Sequence, residues 1–364
     1  MQTSSQAVDA VLRGRPRDYV PLYDSPWGDT LRKWVLQGMP ADDKGNAVDP
    51  IEHFGFDLAG CGGWWEWVAK RGQDQVLEET DEWKVVRNGN GAALKWWKNK
   101  SGTPEHIDFH MTTREVWEKE YRPHLLGFDP SRVNVQGARD ALARWRAKGK
   151  WTYYGHMFIW EGMRASMGDV TMYTSLIEDP GWIHDFARVH TDLWKAAFKL
   201  LIEEAGRPDG VWIYEDLGYR DRLFCAPDVL RELIFPYYAE VVEFLHGYDL
   251  PVVLHSCGFQ APMIPLAIAA GFDGLNPMEV KAGNDIFAYA ETYGDRIAFF
   301  GGFDARILES GDRPRIRREV ERFIRGLKAR NARFVFGSDH SLSTDIAYDA
   351  FRYALDVYRE ERLY

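Results

Sequence analysis

The sequence predicts one α/β domain over residues 1–364, a (β/α)8 TIM barrel with an N-terminal elaboration that includes a β-hairpin. Two observations predict this fold. From about Gly149 onward, short apolar runs alternate with helix-length amphipathic segments, which is typical of a parallel sheet buried on both faces. Most of these runs also end in reactive polar side chains, and in a barrel the carboxyl ends of the strands converge on the active site.

Residues 1–148 include the predicted elaboration. A helix is expected around Asp9–Arg13, and a short strand over Tyr19–Tyr23 that ends at Asp24. Trp83–Arg87 and Ala92–Lys98 flank an Asn-Gly-Asn-Gly sequence. Because this sequence is a strong turn signal between two strand-like runs, it predicts the β-hairpin.

Residues 149–364 contain most of the predicted barrel. The predicted strands are Trp151–Gly155, Val211–Tyr214, Pro251–Leu254, Asp273–Pro277, Ile297–Phe300 and Arg333–Phe336. The polar residues at their carboxyl ends are Glu215, Asp216, His255, Cys257, Glu279, Asp304, Asp339 and His340. An open doubly wound sheet would show the same alternation. The barrel is favoured because no glycine-rich phosphate-binding turn follows an early strand.

Charge and cysteine content exclude several classes of function. The chain has 45 basic and 55 acidic residues, a net charge of −10, so nucleic acid or an anionic membrane is not expected as a partner. Three cysteines are too few for a disulfide framework. No signal-like apolar segment and no run long enough to cross a membrane is found, so a cytoplasmic location is expected.

Several short motifs, in a fixed order, carry a family resemblance. They are Trp212–Gly218, Leu254–Gly258, Leu275–Glu279, Phe300–Asp304 and Ser338–His340. The chain resembles the uroporphyrinogen decarboxylase-like superfamily, most specifically from about residue 210 to residue 345. The resemblance implies a barrel enzyme, a homodimer, and one of two chemistries. One is metal-free decarboxylation of uroporphyrinogen, and the other is methyl transfer involving a corrinoid or a thiol at a zinc site.

The N-terminal strand argues against the decarboxylation of uroporphyrinogen. Decarboxylases proper carry an Arg-Gln-Ala-Gly-Arg motif that holds the substrate carboxylates, whereas the matching stretch here, Val20–Trp27, contains no arginine. The resemblance is therefore nearer to the corrinoid-dependent zinc methyltransferases of the superfamily than to the decarboxylases proper.

The resemblance also implies a set of metal ligands. The methyltransferases bind zinc through His-x-Cys and a distal cysteine, and a related family adds a glutamate between them. Here His255 and Cys257 supply the first pair, Glu279 follows, and His340 stands where the distal cysteine is expected. Imidazole, thiolate and carboxylate are all zinc ligands. Imidazole in place of a thiolate makes the metal a harder Lewis acid, which favours an oxygen or nitrogen substrate over a thiol.

The predicted function is therefore zinc-dependent methyl transfer between a small methylated compound, O-methyl or N-methyl, and the corrinoid of a separate protein. Candidate proton donors or orienting groups are Asp216, Asp304 and Asp339. Candidate substrate-binding residues are Glu215, Trp160 and Glu161, although Glu161 also fits a helix-capping carboxylate.

Other interpretations stay open at this point. The chain could be a metal-free decarboxylase or lyase acting on a substrate other than uroporphyrinogen, or a non-catalytic tetrapyrrole-binding protein. His-Ser-Cys is a short motif that also suits a packed strand end without a metal. Trp64, Trp65 and Trp67 would form either a hydrophobic lid or an anchor for the elaboration.

Overall fold

The structure, a computed structural model, describes residues 1–364. Its strands are β1 (Leu58–Gly60), β2 (Gln75–Glu79), β3 (Trp83–Arg87), β4 (Ala92–Trp97), β5 (Glu105–Phe109), β6 (Trp151–Met157), β7 (Gly210–Tyr214), β8 (Val252–His255), β9 (Gly274–Asn276), β10 (Ala298–Phe300) and β11 (Phe334–Val335). Seven of them form one parallel sheet in the order β1-β6-β7-β8-β9-β10-β11. Predicted and observed strands of the barrel agree to within a few residues.

The chain has fourteen α-helices, and those after residue 134 alternate with the strands of the parallel sheet. They are α1 (Ser4–Leu12), α2 (Gly28–Leu36), α3 (Pro50–Phe54), α4 (Arg114–Val116), α5 (Val135–Ala147), α6 (Ile159–Glu178), α7 (Pro180–Leu200), α8 (Pro227–Leu233), α9 (Phe235–His246), α10 (Ile264–Ala269), α11 (Ile286–Tyr293), α12 (Ala305–Glu309), α13 (Arg313–Ala329) and α14 (Tyr348–Glu361). None of them is both long enough and apolar enough to cross a lipid bilayer.

Residues 20–23 close the barrel between its two outermost strands. The amide of Tyr23 donates to the carbonyl of Phe336 at 2.9 Å, and the amide of Phe336 donates to the carbonyl of Pro21 at 2.8 Å. On the other side, the amide of Asp57, just before β1, donates to the carbonyl of Leu22 at 2.8 Å. The predicted (β/α)8 barrel is thus confirmed. The segment predicted as a strand at Tyr19–Tyr23 lies between β11 and β1 and completes the barrel.

The amino end of the barrel is filled by apolar side chains. Val8, Val11 and Leu12 of α1 pack against the interior layer that contains Trp212 and Phe300, and all five are buried. Because apolar burial excludes water from this end, a polar ligand can reach the interior only from the carboxyl end.

The elaboration is an antiparallel sheet in the order β2-β3-β4-β5, and its central pair is the predicted hairpin. The sheet packs on α6, where Phe109 lies against Gly168. A Cβ at Gly168 would lie 2.5 Å from the ring of Phe109, and the φ of +74° there also favours glycine.

Candidate active site at the carboxyl end of the barrel

His255 ends β8 and is held in one tautomer by the next strand. Its Nδ1 lies 2.6 Å from Oδ1 of Asn276, and Nδ2 of that amide donates to the carbonyl of Phe300 at 3.3 Å. Since the amide nitrogen is used by Phe300, the oxygen faces His255 and must accept a hydrogen from Nδ1. The lone pair of Nε2 is therefore free to bind a metal or a proton.

Cys257 and Asp216 complete a compact group around that free nitrogen. Sγ of Cys257 lies 3.4 Å from Nε2 of His255, and Oδ1 of Asp216 lies 3.7 Å from it. The amide of Cys257 donates to the same carboxylate oxygen at 2.8 Å. One donor atom from each of the three residues lies within 4.8 Å of the others, which is close enough to hold one ion.

Two glycines allow the loops that carry these residues to touch. A Cβ on Gly258, whose φ is +78°, would lie 2.4 Å from the backbone carbon of Gly218. A Cβ on Gly218 would lie 2.4 Å from the carbonyl oxygen of Cys257. Any side chain at either position would push the two loops apart and would therefore separate Asp216 from Cys257.

The negative charges around the Cys257 thiol favour binding of a cation. Burial raises the pKa of the Cys257 thiol well above its ordinary value, and the carboxylates of Asp216 and Glu279 raise it further, while Lys281 opposes them. A nitrogen, a sulfur and a carboxylate oxygen are a donor set that zinc accepts. The three residues therefore fit a zinc ion on both geometry and charge.

The other two predicted ligands lie outside this compact group. Glu279 is buried, accepts the amide of Gly258 at 2.7 Å and lies 3.1 Å from Nζ of Lys281. His340 lies beside Trp27, with ring centroids 6.0 Å apart. The predicted set and the observed group thus share His255 and Cys257, and the third member of the observed group is Asp216. Ligation by Glu279 and His340 stays a prediction.

A cavity of about 200 Å³ lies beside the group at the centre of the barrel. Its walls include Tyr23, Tyr153, Tyr214, Asp24, His255 and His340, and none of its lining residues is a lysine or an arginine. The volume is below the usual range for drug-sized ligands, about 300–1,000 Å³. A small ligand fits this cavity, and a large molecule with many carboxylates would find neither space nor a cationic partner within it. Arg220 and Lys281 line a separate pocket on the side of Cys257.

Asp24 is a site residue that sequence reasoning did not select. Its side chain is buried, and burial raises the pKa of its carboxyl to about 6 even though Ser338 and Ser25 donate hydrogen bonds to it. The sequence held a signal for it, because Asp24 follows the strand at Tyr19–Tyr23 just as other polar residues follow theirs. Its pairing with Ser338 was not readable from sequence.

Comparisons with known proteins decide the family. The sequence model of uroporphyrinogen decarboxylase (URO-D) matches residues 161–361, which is more than half of the chain. The chain belongs to the uroporphyrinogen decarboxylase family. A methyltransferase from Methanosarcina mazei has the same fold over 99% of both chains, with a TM-score of 0.69 and 15% sequence identity. At that identity the likeness concerns the fold alone.

Other comparisons add nothing to the family assignment. Dispersin B shares 9% identity over 94% of this chain and 98% of its own, with a TM-score of 0.39. A Xaa-Pro dipeptidase with bound methionine shares 16% over 61% and 56%, with a TM-score of 0.33. Both scores are too low to support an argument. A search of curated proteins found no match.

Asp339 and Asp304, two of the three aspartates predicted to act in catalysis, accept hydrogen bonds from backbone amides. Asp339 is buried, which raises the pKa of its carboxyl, and accepts the amides of Val280 at 2.8 Å and Ala305 at 2.9 Å. Asp304 caps α12 and pairs with Arg306 at 2.8 Å. Burial alone would raise the pKa of Asp304, but the hydrogen bonds from Arg306 outweigh it and lower that pKa. A catalytic role for either stays a prediction.

The predicted substrate-binding residues lie at the start of α6. Glu215 is buried and accepts the amides of Trp160 at 3.3 Å and Glu161 at 2.6 Å. Burial raises the pKa of Glu215 well above its ordinary value, and that of Glu161 to about 7. Glu161 pairs with Arg164 at 2.7 Å, and Trp160 is fully buried. The carboxyl group of Glu215 therefore caps this helix, and contact of the three with a substrate stays a prediction.

Trp64 and Trp65, which follow β1, differ in exposure, and this difference bears on whether each forms a lid or an anchor. Trp64 is 55% exposed and stacks on Tyr214, a wall residue of the cavity, with ring centroids 5.8 Å apart. Trp65 is buried and stacks on His156. The geometry favours a position over the cavity for Trp64 and an anchoring role in the N-terminal elaboration for Trp65.

Proposed function

We propose that the protein is a zinc-dependent methyltransferase that moves a methyl group between a small O-methyl or N-methyl substrate and a corrinoid carried by a partner protein. The observation that carries this proposal is the compact group of His255, Cys257 and Asp216 beside a cavity of about 200 Å³. Family membership supports an enzyme, and the fold likeness to a methanogen methyltransferase is consistent with this reaction class.

The donor atoms proposed for the metal are Nε2 of His255, Sγ of Cys257 and a carboxylate oxygen of Asp216. When bound, zinc would supply a Lewis acid that polarises the oxygen or nitrogen carrying the methyl group. Asn276 would orient the ring of His255 through its 2.6 Å contact with Nδ1. Glu279 and His340 remain predicted ligands.

The cavity explains the proposed choice of substrate. Its wall has three tyrosines and neither lysine nor arginine, so it suits a small neutral or cationic methyl donor rather than a polyanion. Burial keeps the pKa of Tyr214 above its ordinary value, and its hydroxyl donates to that of Tyr153 at 3.4 Å. The tyrosines are therefore neutral groups that position a ligand by contact and hydrogen bonding.

A metal-free lyase is the second candidate. The family match and the raised pKa of Asp24 favour it, because decarboxylation ends with protonation of the carbon that has lost its carboxylate. The absence of lysine and arginine from the cavity wall weighs against a carboxylate substrate. The small volume weighs against the third interpretation, a tetrapyrrole-binding protein.

The test is methyl transfer to free cob(I)alamin by the zinc-loaded protein, followed by absorbance. Methanol, anisole and trimethylamine serve as donors, and the matched variants are His255→Ala and the exposed Asp43→Asn. We expect methylation with at least one donor, unchanged in Asp43→Asn and about 100-fold slower or absent in His255→Ala. Inactivity with every donor, or an active His255→Ala, would contradict the proposal.

A further inference from the structure

A second pocket, of about 810 Å³, opens at the amino end of the barrel. Arg333, one of its lining residues, directly precedes β11, whereas His255 ends β8 of the same parallel sheet. The walls come from residues 14–17, which follow α1, and from the carboxyl ends of α11 and α13. The pocket therefore lies at the opposite end of the barrel from the compact group, and it shares no lining residue with the cavity beside His255.

The lining of this pocket is polar and carries an excess of positive charge. Only two of its thirteen residues are hydrophobic, so it suits a polar ligand rather than a lipid chain or an aromatic ring. The chain as a whole has a net charge of −10, so the pocket is opposite in sign to the rest of the protein. The charged side chains of the lining are Arg15, Arg17, Arg330 and Arg333, against Glu291 and Asp295.

Two of the four arginines have no carboxylate partner. Arg330 pairs with Glu291 at 2.8 Å, and Arg15 pairs with an aspartate of α1 at 3.3 Å. Arg17 and Arg333 are half-buried, and neither lies within ion-pair distance of a carboxylate; each donates to a backbone carbonyl instead. The positive charge of the pocket is therefore not neutralised by the protein itself.

The guanidinium group of Arg333 also has donors that no acceptor serves. Its Nη1 donates to the carbonyl of Leu12 at 3.3 Å, but Nε and Nη2 are buried and have no hydrogen-bond partner. These two nitrogens form the edge with which arginine binds two oxygens of one anion. Burial lowers the pKa of Arg333, and the neighbouring charge of Arg17 lowers it further, while two nearby aspartates oppose this effect. An anion between the two arginines would remove their repulsion.

We propose that this pocket binds a small polar molecule that carries phosphate, held by Arg17 and Arg333 with Arg15 and Arg330 at its sides. A phosphate ester has a charge of about −1.5 to −2 at pH 7, which matches the excess of positive charge, whereas one carboxylate supplies only half of it. The pocket is within the range of about 300–1,000 Å³ that is usual for small-molecule sites. The site is separate from the proposed methyl transfer and does not depend on it.

The same arginines also join the N-terminal segment to the start of β11, and this structural role has to be separated from binding. Arg17 donates to the carbonyl of Ala332, and Arg333 donates to that of Leu12. A structural role alone predicts that a variant is less stable whether or not an anion is present. A binding role predicts, in addition, that a folded variant loses its affinity for the anion.

Titration calorimetry with pyrophosphate at constant ionic strength tests the binding. We expect about one pyrophosphate per chain with a Kd below about 1 mM, and affinity at least about tenfold weaker in Arg333→Gln. Arg220→Gln, in the pocket beside Cys257, and His255→Ala are the controls and should bind as the wild type does. Unchanged affinity in Arg333→Gln, or binding that is lost in either control, would overturn the assignment.

Hydrogen exchange of the wild-type protein gives a second readout that does not depend on whether Arg333→Gln folds. Pyrophosphate should slow exchange in peptides that cover residues 13–19 and 329–334, and should leave residues 255–260 unchanged. Absence of protection at both segments would overturn the proposal. Vesicles of phosphatidylglycerol should give no protection there, because the lining is mostly polar. Protection by vesicles but not by pyrophosphate would mean that the site faces a lipid surface, and would overturn a small-molecule ligand.

Discussion

Nδ1 of His255 and Oδ1 of Asn276 lie 2.6 Å apart, across neighbouring strands that pair these two residues in register. The amide of Asn276 is itself oriented by the carbonyl of Phe300. The barrel backbone therefore determines which nitrogen of His255 is free, because the chain of contacts ends on a strand carbonyl. The orientation of the His255 ring is therefore determined by β8, β9 and β10.

Removing the acceptor for His255 should weaken zinc binding. Asn276→Ala leaves Nδ1 without a partner, and loss of such a contact costs about 10–100-fold in metal affinity. Asn276→Asp keeps an oxygen for Nδ1 but loses the donor to the carbonyl of Phe300, so its zinc affinity should lie between those of Asn276→Ala and the wild type. Competition with a chromophoric chelator measures both affinities, and thermal unfolding shows whether each variant is folded. Equal affinity in Asn276→Ala and the wild type would contradict the role given to this contact.

The thiol of Cys257 should be slow to alkylate in protein stripped of metal. Burial and the neighbouring carboxylates of Asp216 and Glu279 raise its pKa, so little thiolate is present at neutral pH. Asp216→Asn removes one of these charges, lowers the pKa and should speed alkylation by iodoacetamide severalfold. Peptide mass spectrometry follows Cys61 and Cys225 in the same sample. Burial raises the pKa of each to about 12, so their slow rates should not change.

The contact between the loops that contain Gly218 and Gly258 should be disrupted by a single added Cβ. Gly258→Ala places a Cβ 2.4 Å from the backbone of Gly218, whereas Gly45→Ala, at a similar φ of +81°, meets nothing within 4 Å. We expect Gly45→Ala to lower the free energy of unfolding by about 1 kcal/mol, and Gly258→Ala by more than about 2 kcal/mol. Urea denaturation measures both. Equal losses would mean that the two loops are not in contact in solution.

The barrel was predictable because a strand buried on both faces reads as a continuous apolar run. Val211–Tyr214 and Arg333–Phe336 match β7 and β11 for this reason, with ends that differ by a residue or two. β1, Leu58–Gly60, was not predicted as a strand, because three small or apolar residues before a glycine-rich turn show no period. Its place in the sheet comes from pairing with β6, far away in the sequence.

The site was predictable only where a motif lies within one loop. His255 and Cys257 are two residues apart and lie together as expected. Asp216 was predicted as a catalytic acid, but its place beside them depends on a backbone contact across two loops. Asp24 depends on Ser338, which is 314 residues away in the chain. Neither pairing follows from local pattern.

Asp24→Asn should stabilise the protein at alkaline pH. The pKa of Asp24 rises from 3.8 to about 6 on folding, so the stabilisation is fully present below about pH 4 and is lost as the pH rises through 6. Two pKa units correspond to about 3 kcal/mol. The difference in the free energy of unfolding between Asp24→Asn and the wild type should therefore grow by about that amount from pH 4 to pH 8. It should stay constant for the exposed Asp43→Asn. A difference independent of pH would contradict a raised pKa at Asp24.

Zinc content, measured by mass spectrometry on untagged protein, tests the central claim most directly. Wild type is compared with Cys257→Ser and with Cys225→Ser, a matched change of a cysteine outside the group. We predict about one zinc per chain in the wild type and in Cys225→Ser, and much less in Cys257→Ser. A wild type that stays free of zinc after reconstitution, or a Cys257→Ser variant that keeps it, would contradict a zinc-dependent methyltransferase and leave the metal-free lyase as the better account.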